Sequence, residues 1–519
     1  MSREQNIAGR RFFSPSSQPE HLGLSIDMTQ RLPDEMLSMV FILGLPDCDD
    51  DLTPINLTTM PLILTCVCRR WRQVAFSTPA LWSHLFLPQP PQNAQLLDSF
   101  FATVESWFSL TRSPSLHIRL DLSGEKRSDV ASRYMHLLST FSSRWKIINI
   151  DCRTFAHEAD YPTLNHGSVS QLAAFQFMTN SYDNGHQGCH WNIANLNDVL
   201  SSAPNLDSLI LTHPNIDQLS VRWSNMVYLS LEIPHDSATP FDLLRFVNAI
   251  GCCVNLSTLE LEFVGDFSNI SIATTGWGPR ILGELTHFTL VGTCPYILMF
   301  LPVLKAPSLT SFNLDTIWGT FRAGVSFLDT LCLASSCFLR YHKNTLWILA
   351  LRSINFLVDE GQLMQNLQIC DDLRSLTIVD SRNVVGPTTL QSLTYRFVNP
   401  DPNDATSTFR LEHGCSHPFL EDIGLYHDDL ARDASRGEAY TDDMYSGLAN
   451  MVESRWWCPE GAMTSCDVEN GLMPRPVAKL KVLRLHQDDE DWMMDRRPDD
   501  WTRILRCCDE GLKLEIEDV

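Results

Sequence analysis

The sequence has no apolar run long enough to cross a membrane. Its most apolar segments, 296–304 and 346–358, are short and are interrupted by Pro302 and Arg352, whereas a spanning helix needs about 20 apolar residues in succession. The amino terminus also lacks the apolar stretch of a secretory signal peptide. We therefore expect an intracellular protein of the cytoplasm, the nucleus or both, without a membrane partner.

A stripe of Lys and Arg that would offset the acidic charge is also missing. The chain of 519 residues carries 39 Lys and Arg against 62 Asp and Glu, a net charge of −23. Because such a surface repels phosphate groups, nucleic acid and anionic membranes are not expected partners. The composition is otherwise typical of a folded globular chain, and its length requires more than one small core.

Motifs for catalysis or cofactor binding are absent from the positions where they would function. We find no nucleophile elbow, phosphate loop or dinucleotide-binding glycine motif between a predicted strand and helix. We therefore predict a protein that is not an enzyme and that needs no cofactor. The 16 cysteines follow no disulfide spacing and are interpreted as reduced thiols.

Two kinds of residue cluster, one of His and Cys and one of acidic residues, could suggest a metal ion, but neither kind has the required spacing. Clusters of His and Cys lie in polar loops at His186, Cys189, His190 and at His413, Cys415, His417. Neither cluster has a second ligand pair at a zinc-site spacing, so ordinary loop residues are the favoured interpretation. The acidic runs at 49–51, 428–429 and 488–491 lack the glycine and spaced ligands of a calcium loop and indicate solvated surface.

The first 90 residues change from a polar leader to a helical pattern. Residues 1–28 are enriched in Ser, Pro and Gln, which predicts a disordered leader. The apolar spacing then predicts a helix from Pro33 to just before Gly44, a second over 62–76 and a short third over 81–85. The first helix is apolar nearly all round, so it must be covered on more than one side, which indicates a partner.

From about residue 115 a short apolar pattern recurs. An apolar residue is followed by two free positions, a second apolar residue, one free position and a third apolar residue. Copies start at Leu172, Leu206, Ile216, Met226, Leu256, Leu285, Leu309, Leu346, Leu373, Leu420 and Leu480, with weaker copies at Trp145 and Leu390. This is the strand half of a leucine-rich repeat, in which the apolar positions point into a solenoid core and the free positions point outward.

The spacing between copies predicts how the strands are connected. Short gaps leave room only for turns, whereas longer gaps fit helices, which we predict over 241–250 and 443–457. The predicted fold is therefore of the α/β class. A small cluster of three helices precedes an irregular solenoid of parallel strands with outer helices and loops, and 501–519 cap its end.

Residues 32–85 resemble an F-box. The resemblance rests on three stretches, Leu32-Pro33-Asp34-Glu35-Met36-Leu37, Val67-Cys68-Arg69-Arg70-Trp71-Arg72 and Leu81-Trp82. The order of this motif and the irregular repeats, with late segments at 452–456 and 510–512, is similar to F-box proteins of mushroom-forming fungi. On this resemblance the chain divides into a leader at 1–28, an F-box-like domain at 29–90 and a leucine-rich-repeat solenoid with a carboxy-terminal cap at 91–519.

The resemblance implies a substrate-recognition subunit of an SCF-type cullin–RING ubiquitin ligase. Its F-box would bind a Skp-type adaptor and, through it, the cullin and RING subunits, while the repeats would bind an unknown protein substrate. The family pattern places the adaptor contacts at Leu32, Pro33, Leu37, Val40, Phe41, Val67, Trp71, Leu81 and Trp82. Some of these nine must form the core of the motif instead, and the sequence leaves open which.

Two other functions remain open at this point. In a non-catalytic leucine-rich-repeat scaffold that joins no ligase, Leu37, Phe41 and Trp71 would pack against the repeats. The ligase hypothesis predicts instead an exposed apolar patch within 32–85, and an enzyme would require a deep pocket with convergent titratable groups. Candidate substrate contacts are polar outward positions of the repeat strands, namely Asp207, Asp217, Thr258, Glu260, Arg374 and Arg484.

Overall fold

A computed structural model gives the fold of most of the chain. The residues that it describes are 32–45, 60–87, 89–112, 115–122, 128–152, 169–178, 193–212, 219–234, 243–264, 278–292, 297, 300–316, 325–352, 360–380, 385–398, 409–412, 416–427, 438–464 and 475–517. The chain forms two compact units, Met1–His84 with Ser106–Pro114 and Leu85–Glu105 with Ser115–Val519. The predicted leader at 1–28 lies outside the described residues.

The first unit is built from short helices. Its elements are α1 (Asp34–Leu43), α2 (Leu62–Val67), α3 (Arg69–Ser77) and a 3₁₀ turn at Pro79–Trp82. The prediction of one helix over 62–76 was wrong, because Cys68 has an extended backbone and separates α2 from α3. Both new helix ends have partners: the Cys68 Sγ accepts the Trp71 N–H at 3.4 Å, and Arg72 Nε donates to the Thr65 carbonyl at 2.7 Å.

The second unit contains a long series of strands and helices. The strands are β1 (His84–Leu87), β2 (Leu116–Asp121), β3 (Trp145–Asp151), β4 (Ala174–Met178), β5 (Ser208–Thr212), β6 (Tyr228–Pro234), β7 (Thr258–Val264), β8 (Arg280–Ile281), β9 (His287–Gly292), β10 (Leu304–Lys305), β11 (Ser311–Thr316), β12 (Ile348–Arg352), β13 (Ser375–Asp380), β14 (Phe397–Val398), β15 (Arg410–Leu411), β16 (Asp422–His427), β17 (Val482–His486) and β18 (Lys513–Glu517). The helices are α4 (Ala94–Leu110), whose last turn belongs to the first unit, α5 (Ser128–Thr140), α6 (Ile193–Ser201), α7 (Leu243–Gly251), α8 (Val325–His342), α9 (Glu360–Leu367), α10 (Pro387–Leu393), α11 (Glu438–Trp456), α12 (Gln487–Arg496) and α13 (Pro498–Asp509).

Fourteen of the strands form one sheet whose order follows the chain. The order is β1-β2-β3-β4-β5-β6-β7-β9-β11-β12-β13-β16-β17-β18, and β8–β10 and β14–β15 form two small separate sheets. The pairings from β2 to β18 are parallel, and equivalent positions stand in line, as Leu209, Leu229 and Leu259 do across β5, β6 and β7. A parallel sheet with intervening helices confirms the predicted α/β class.

The apolar positions of the repeated pattern form the core of this sheet. Leu229, Leu259, Leu349 and Leu376 are fully buried, and the free positions beside them keep partial exposure on the outward face. Strands occur at eleven of the predicted copies, and the helices predicted over 241–250 and 443–457 are present as α7 and α11. The burial alternates with the period of two that a half-buried strand requires.

Three local predictions were wrong. The copy at Leu390 lies in α10, where Leu390 and Leu393 are also neighbours at helical spacing, so the pattern fits either structure. At the copy predicted from Ile216, residues 219–222 form no strand. The predicted third helix is the 3₁₀ turn at Pro79–Trp82, and Leu85 lies in β1, because the chain alternates there between inward and outward side chains.

A buried arginine holds the carboxy-terminal part of the second unit together. Arg455 of α11 is fully buried, and its Nε donates to the Leu393 carbonyl at 2.6 Å. Its other nitrogens donate to the Tyr395 hydroxyl at 2.8 Å and to the carbonyls of Ser416 and His417 at 3.0 and 3.2 Å. The guanidinium also lies 4.0 Å from the centre of the Tyr395 ring. A buried charge is tolerated here because its donors have acceptors in place.

We expect Arg455→Ala to lower the free energy of unfolding by about 3–5 kcal/mol, because it leaves a cavity and several buried carbonyls without a donor. Urea denaturation followed by circular dichroism measures this loss. The control is Arg506→Ala at an exposed position of α13, which should change stability by less than about 0.5 kcal/mol. Equal effects of the two variants would contradict a structural role for Arg455.

Candidate functional site

The interior of the first unit contains four of the nine predicted adaptor-binding residues. These four are buried almost completely: Leu37, Phe41, Leu81 and Trp82. The Phe41 ring lies 4.9 Å from the ring of Trp71, and Trp82 Nε1 donates to the Ala75 carbonyl at 2.9 Å. The four side chains therefore form the core of the motif, which the sequence alone could not decide.

Trp82 is the centre of an aromatic cluster. The ring of Phe76 stacks on it at 5.4 Å, and the ring of Trp107 meets it edge-on at 5.0 Å. The Trp107 Nε1 also donates to the Trp82 carbonyl at 3.1 Å, which fixes the last turn of α4 within the first unit. Aromatic pairs at these distances add to the free energy gained by burial.

Polar contacts also connect α1 to α3. Arg70 Nη2 donates to Asp34 Oδ1 at 2.7 Å and also to the Leu32 carbonyl. One turn further along, the Thr78 hydroxyl donates to Ser38 Oγ at 2.9 Å. The ion pair is largely exposed, so its value for stability is small, and both contacts lie on the side of α1 that faces α3.

The exposed face of α1 carries a row of large apolar side chains. Met36, Met39, Val40 and Leu43 are 48%, 58%, 52% and 82% exposed. Their spacing of three, four and seven residues places them side by side along one face of the helix. We call these four residues the α1 row. Contiguous exposed apolar patches of this kind are common at interaction surfaces.

The structure places the other five predicted adaptor residues at or near the surface. Pro33, Val40 and Val67 are exposed, while Leu32 and Trp71 are half-buried. Their contact with an adaptor stays a prediction. Sequence reasoning did not include the other members of the α1 row, Met36, Met39 and Leu43, nor Ile63 of α2. The helical spacing of the α1 row was the signal that could have separated its exposed residues from the buried Leu37 and Phe41 of the same helix.

The predicted substrate-contact positions differ in their surroundings. Asp207 and Arg374 are exposed, whereas Thr258, Glu260 and Arg484 are half-buried, and Asp217 lies outside the described residues. Glu260 accepts the Tyr228 hydroxyl at 2.8 Å; desolvation and this carboxylate together raise the pKa of Tyr228 to about 12. Arg484 forms ion pairs of 2.5 Å with Asp422 and with Glu515.

A cleft of about 820 Å³ opens between α10, α11, α13 and β14. Its titratable groups include Arg396, Asp443, Glu453 and Arg503. Arg503 is already bound to Glu453 and, at 2.9 Å, to Asp500, and these carboxylates raise its pKa. The paired groups have the arrangement of a structural ion-pair network, which is also a common cause of shifted pKa values.

The described part of the chain includes only one residue of the two candidate His and Cys clusters, His417. No group of three His, Cys, Asp or Glu residues that could hold a metal ion occurs there. His186, Cys189, His190, His413 and Cys415 lie outside the described residues. His417 is fully buried, and its Nε2 is hydrogen-bonded to the Leu367 carbonyl at 2.9 Å. Among the described helices, none is long and apolar enough to cross a bilayer.

Comparison with known protein families identifies the first unit. Residues 29–88 match the family model described as F-box-like, which covers α1, α2, α3 and the 3₁₀ turn. The F-box resemblance is therefore confirmed for this stretch, and the chain contains an F-box-like domain. A search of curated proteins gives no match. The fungal origin and the leucine-rich-repeat identity of the second unit stay predictions.

The buried His417 should make stability depend on pH. Burial, with a smaller contribution from the charge of Arg455, lowers the pKa of His417 to about 4, against about 6.5 in an unfolded chain. Between these values the unfolded state binds the proton and the folded state does not, so stability is lost as the pH falls from 6.5 towards 4. The loss from this one group should reach about 3 kcal/mol at pH 4.

His417→Gln should make this loss of stability less steep, because glutamine does not titrate. Thermal unfolding at several pH values between 4 and 7 measures the slope. The matched control is His136→Gln at an exposed position, which should leave the slope unchanged. The same slope in wild type and in His417→Gln would contradict this account of the buried imidazole.

Proposed function

We propose that this chain is the substrate-recognition subunit of an SCF-type cullin–RING ubiquitin ligase. F-box domains bind Skp-type adaptors, which connect them to a cullin and a RING subunit. The observation that carries the proposal is the F-box-like match at 29–88 together with the exposed α1 row. The chain would supply recognition, and the chemistry of ubiquitin transfer would belong to other subunits.

Burial of the α1 row against a helical partner is more favourable than its exposure to water. Its four side chains are roughly half exposed or more, so covering them would contribute on the order of 1 kcal/mol each. Leu32 and Pro33 lie where the chain enters α1, and Val67 ends α2 beside the Cys68 break. A partner that covers this surface would bury apolar area without disturbing the core around Phe41 and Trp82.

The outward face of the 14-stranded sheet is the proposed substrate surface. Its positions form regular rows because the strands are parallel and in register, and such rows give an extended binding surface in repeat proteins. Of the predicted positions, Asp207 and Arg374 are the exposed ones, and each directly precedes a strand. The Arg374 guanidinium also lies 4.8 Å from the centre of the Trp347 ring. Arg484 is less available, since two carboxylates already bind it.

The second candidate function is a scaffold that joins no ligase. This scaffold gains no support from the burial of four of the nine predicted adaptor residues, because part of the motif must form its own core in either case. It requires the α1 row to remain uncovered or to bind a different protein. Adaptor binding separates the two candidates directly.

The variant Val40→Asp with Leu43→Asp should abolish co-purification of the Skp-type adaptor. The two carboxylates would lie in the centre and at the end of the α1 row, and burying them would cost several kcal/mol. Both side chains are exposed, so the fold should be unaffected. Co-expression with the adaptor and affinity purification measures the effect.

The control for this variant is Leu333→Asp, which places the same charge on an exposed leucine of α8 in the second unit. It should leave adaptor binding at the wild-type level. Undiminished binding by the Val40 and Leu43 variant would exclude the α1 row as the contact surface.

The variant Leu32→Ala with Pro33→Ala should also abolish adaptor co-purification while the second unit stays folded. It removes apolar surface at the entrance to α1, where the Leu32 carbonyl accepts from Arg70. The matched control is Leu505→Ala with Pro498→Ala, an exposed leucine and the first proline of α13. If the adaptor still co-purifies at comparable yield, Leu32 and Pro33 are not part of its binding site.

A further inference from the structure

The last strand of the long sheet is paired on one side only. β18 bonds to β17 in parallel register, with Arg484 opposite Glu515, and no further strand follows it in the described part of the chain. An open strand edge exposes unpaired N–H and C=O groups that can bind another extended segment.

The backbone direction identifies which residues face the open edge. The Lys513 N–H donates to the Lys481 carbonyl of the neighbouring segment at 3.0 Å. Residues of a strand alternate in the side to which their N–H and C=O groups point. Lys513, Glu515 and Glu517 therefore bond towards β17, and Leu514 and Ile516 direct their backbone groups away from it.

The core is also incomplete at this end of the sheet. Leu483 and Leu485 of β17 are fully buried, whereas the equivalent Leu514 and Ile516 of β18 remain partly exposed. A strand added at this edge would therefore gain backbone hydrogen bonds and would also cover apolar surface that the chain leaves open.

The charges on β18 are self-complementary when the strand runs antiparallel to a copy of itself. A two-fold axis through Glu515 places Lys513 opposite Glu517 of the second copy, and does so twice by symmetry. The same axis places Leu514 opposite Ile516 of the second copy. Leu514 and Ile516 carry the backbone groups that point away from β17. Each of the two symmetry-related Leu514–Ile516 pairs can therefore exchange two hydrogen bonds, which gives four in total.

We propose that β18 pairs antiparallel with β18 of a second copy of this chain, with the two-fold axis at Glu515, and joins the two long sheets. Lys513 and Glu517 of the second copy then form a non-hydrogen-bonded pair, in which side chains lie closest. Lys513 is paired with Glu515 of its own strand, and Glu517 accepts the Tyr426 hydroxyl at 2.8 Å. The Lys513 side chain is nevertheless 67% exposed, which leaves it accessible to a second copy.

Other registers fit less well. An axis at Ile516 would place Glu515 opposite Glu517 of the second copy twice and would create no pair of opposite charge, and like charges directly opposite each other are destabilising. An axis at Leu514 would require Leu512, whose N–H already bonds to the Cys507 carbonyl at 3.0 Å. In the proposed register the two Glu515 carboxylates meet at the axis, but each is bound by its own Arg484 at 2.5 Å.

Analytical ultracentrifugation of the full chain over a range of concentrations tests the proposal. The wild type should form dimers, and Lys513→Glu or Glu517→Lys alone should raise the dissociation constant about tenfold or more, because each creates two like-charge pairs. The double variant, with both charges exchanged, should restore dimers to within about threefold of wild type. Lys343→Glu, at an exposed turn, is the control and should have no effect.

A second variant tests the register independently of charge. Glu515→Cys should give an interchain disulfide under oxidising conditions, because residues facing each other across a non-hydrogen-bonded antiparallel pair lie within disulfide reach. Non-reducing gels compare it with wild type, which shows any background from the native cysteines.

Three outcomes of these two experiments would overturn the proposal. They are monomers at every concentration, dimers whose dissociation constant does not respond to the charge changes, and no covalent dimer above background.

Discussion

Each strand of the long sheet depends on its neighbours for burial. An inward leucine such as Leu259 reaches full burial only because Leu229 and Phe288 stand at the same register on either side. A repeat unit cannot bury its apolar face alone, so each unit is stabilised by its contacts with the neighbouring units. This constraint explains the common register. It also explains why β18, with a neighbour on one side only, keeps Leu514 and Ile516 partly exposed.

The period of apolar residues predicted the strands well because the constraint acts at every repeat. The prediction failed where one pattern is compatible with both a strand and a helix. Leu390 and Leu393 fit the strand pattern and also the spacing of a helix, and the structure has a helix there. It could not foresee Cys68, because the break between α2 and α3 depends on side chains that bond back to the main chain. Arg455 was also unpredictable, since its acceptors come from distant parts of the sequence.

The candidate site shows the same division between pattern and tertiary contact. The motif identified the right helices, and the family match at 29–88 supports it. It could not separate Phe41 from Val40, although one is buried and the other exposed, because both residues are apolar and adjacent in sequence. The difference is set by tertiary packing, in which Phe41 contacts Trp71 of α3 while Val40 faces away, and the contacts of Arg70 and Thr78 add to this arrangement.

The two proposed contact surfaces expose different kinds of groups, and this difference governs their selectivity. The α1 row offers apolar area, whose burial is favourable but not directional, so selectivity there must come from the shape of the partner. The edge of β18 offers directional backbone groups framed by Lys513 and Glu517, and such charges oppose indiscriminate strand pairing. Only a strand with the opposite order of charges matches that edge. The chain itself supplies one in the antiparallel sense, so the charges that protect the edge from other strands can also select its own copy.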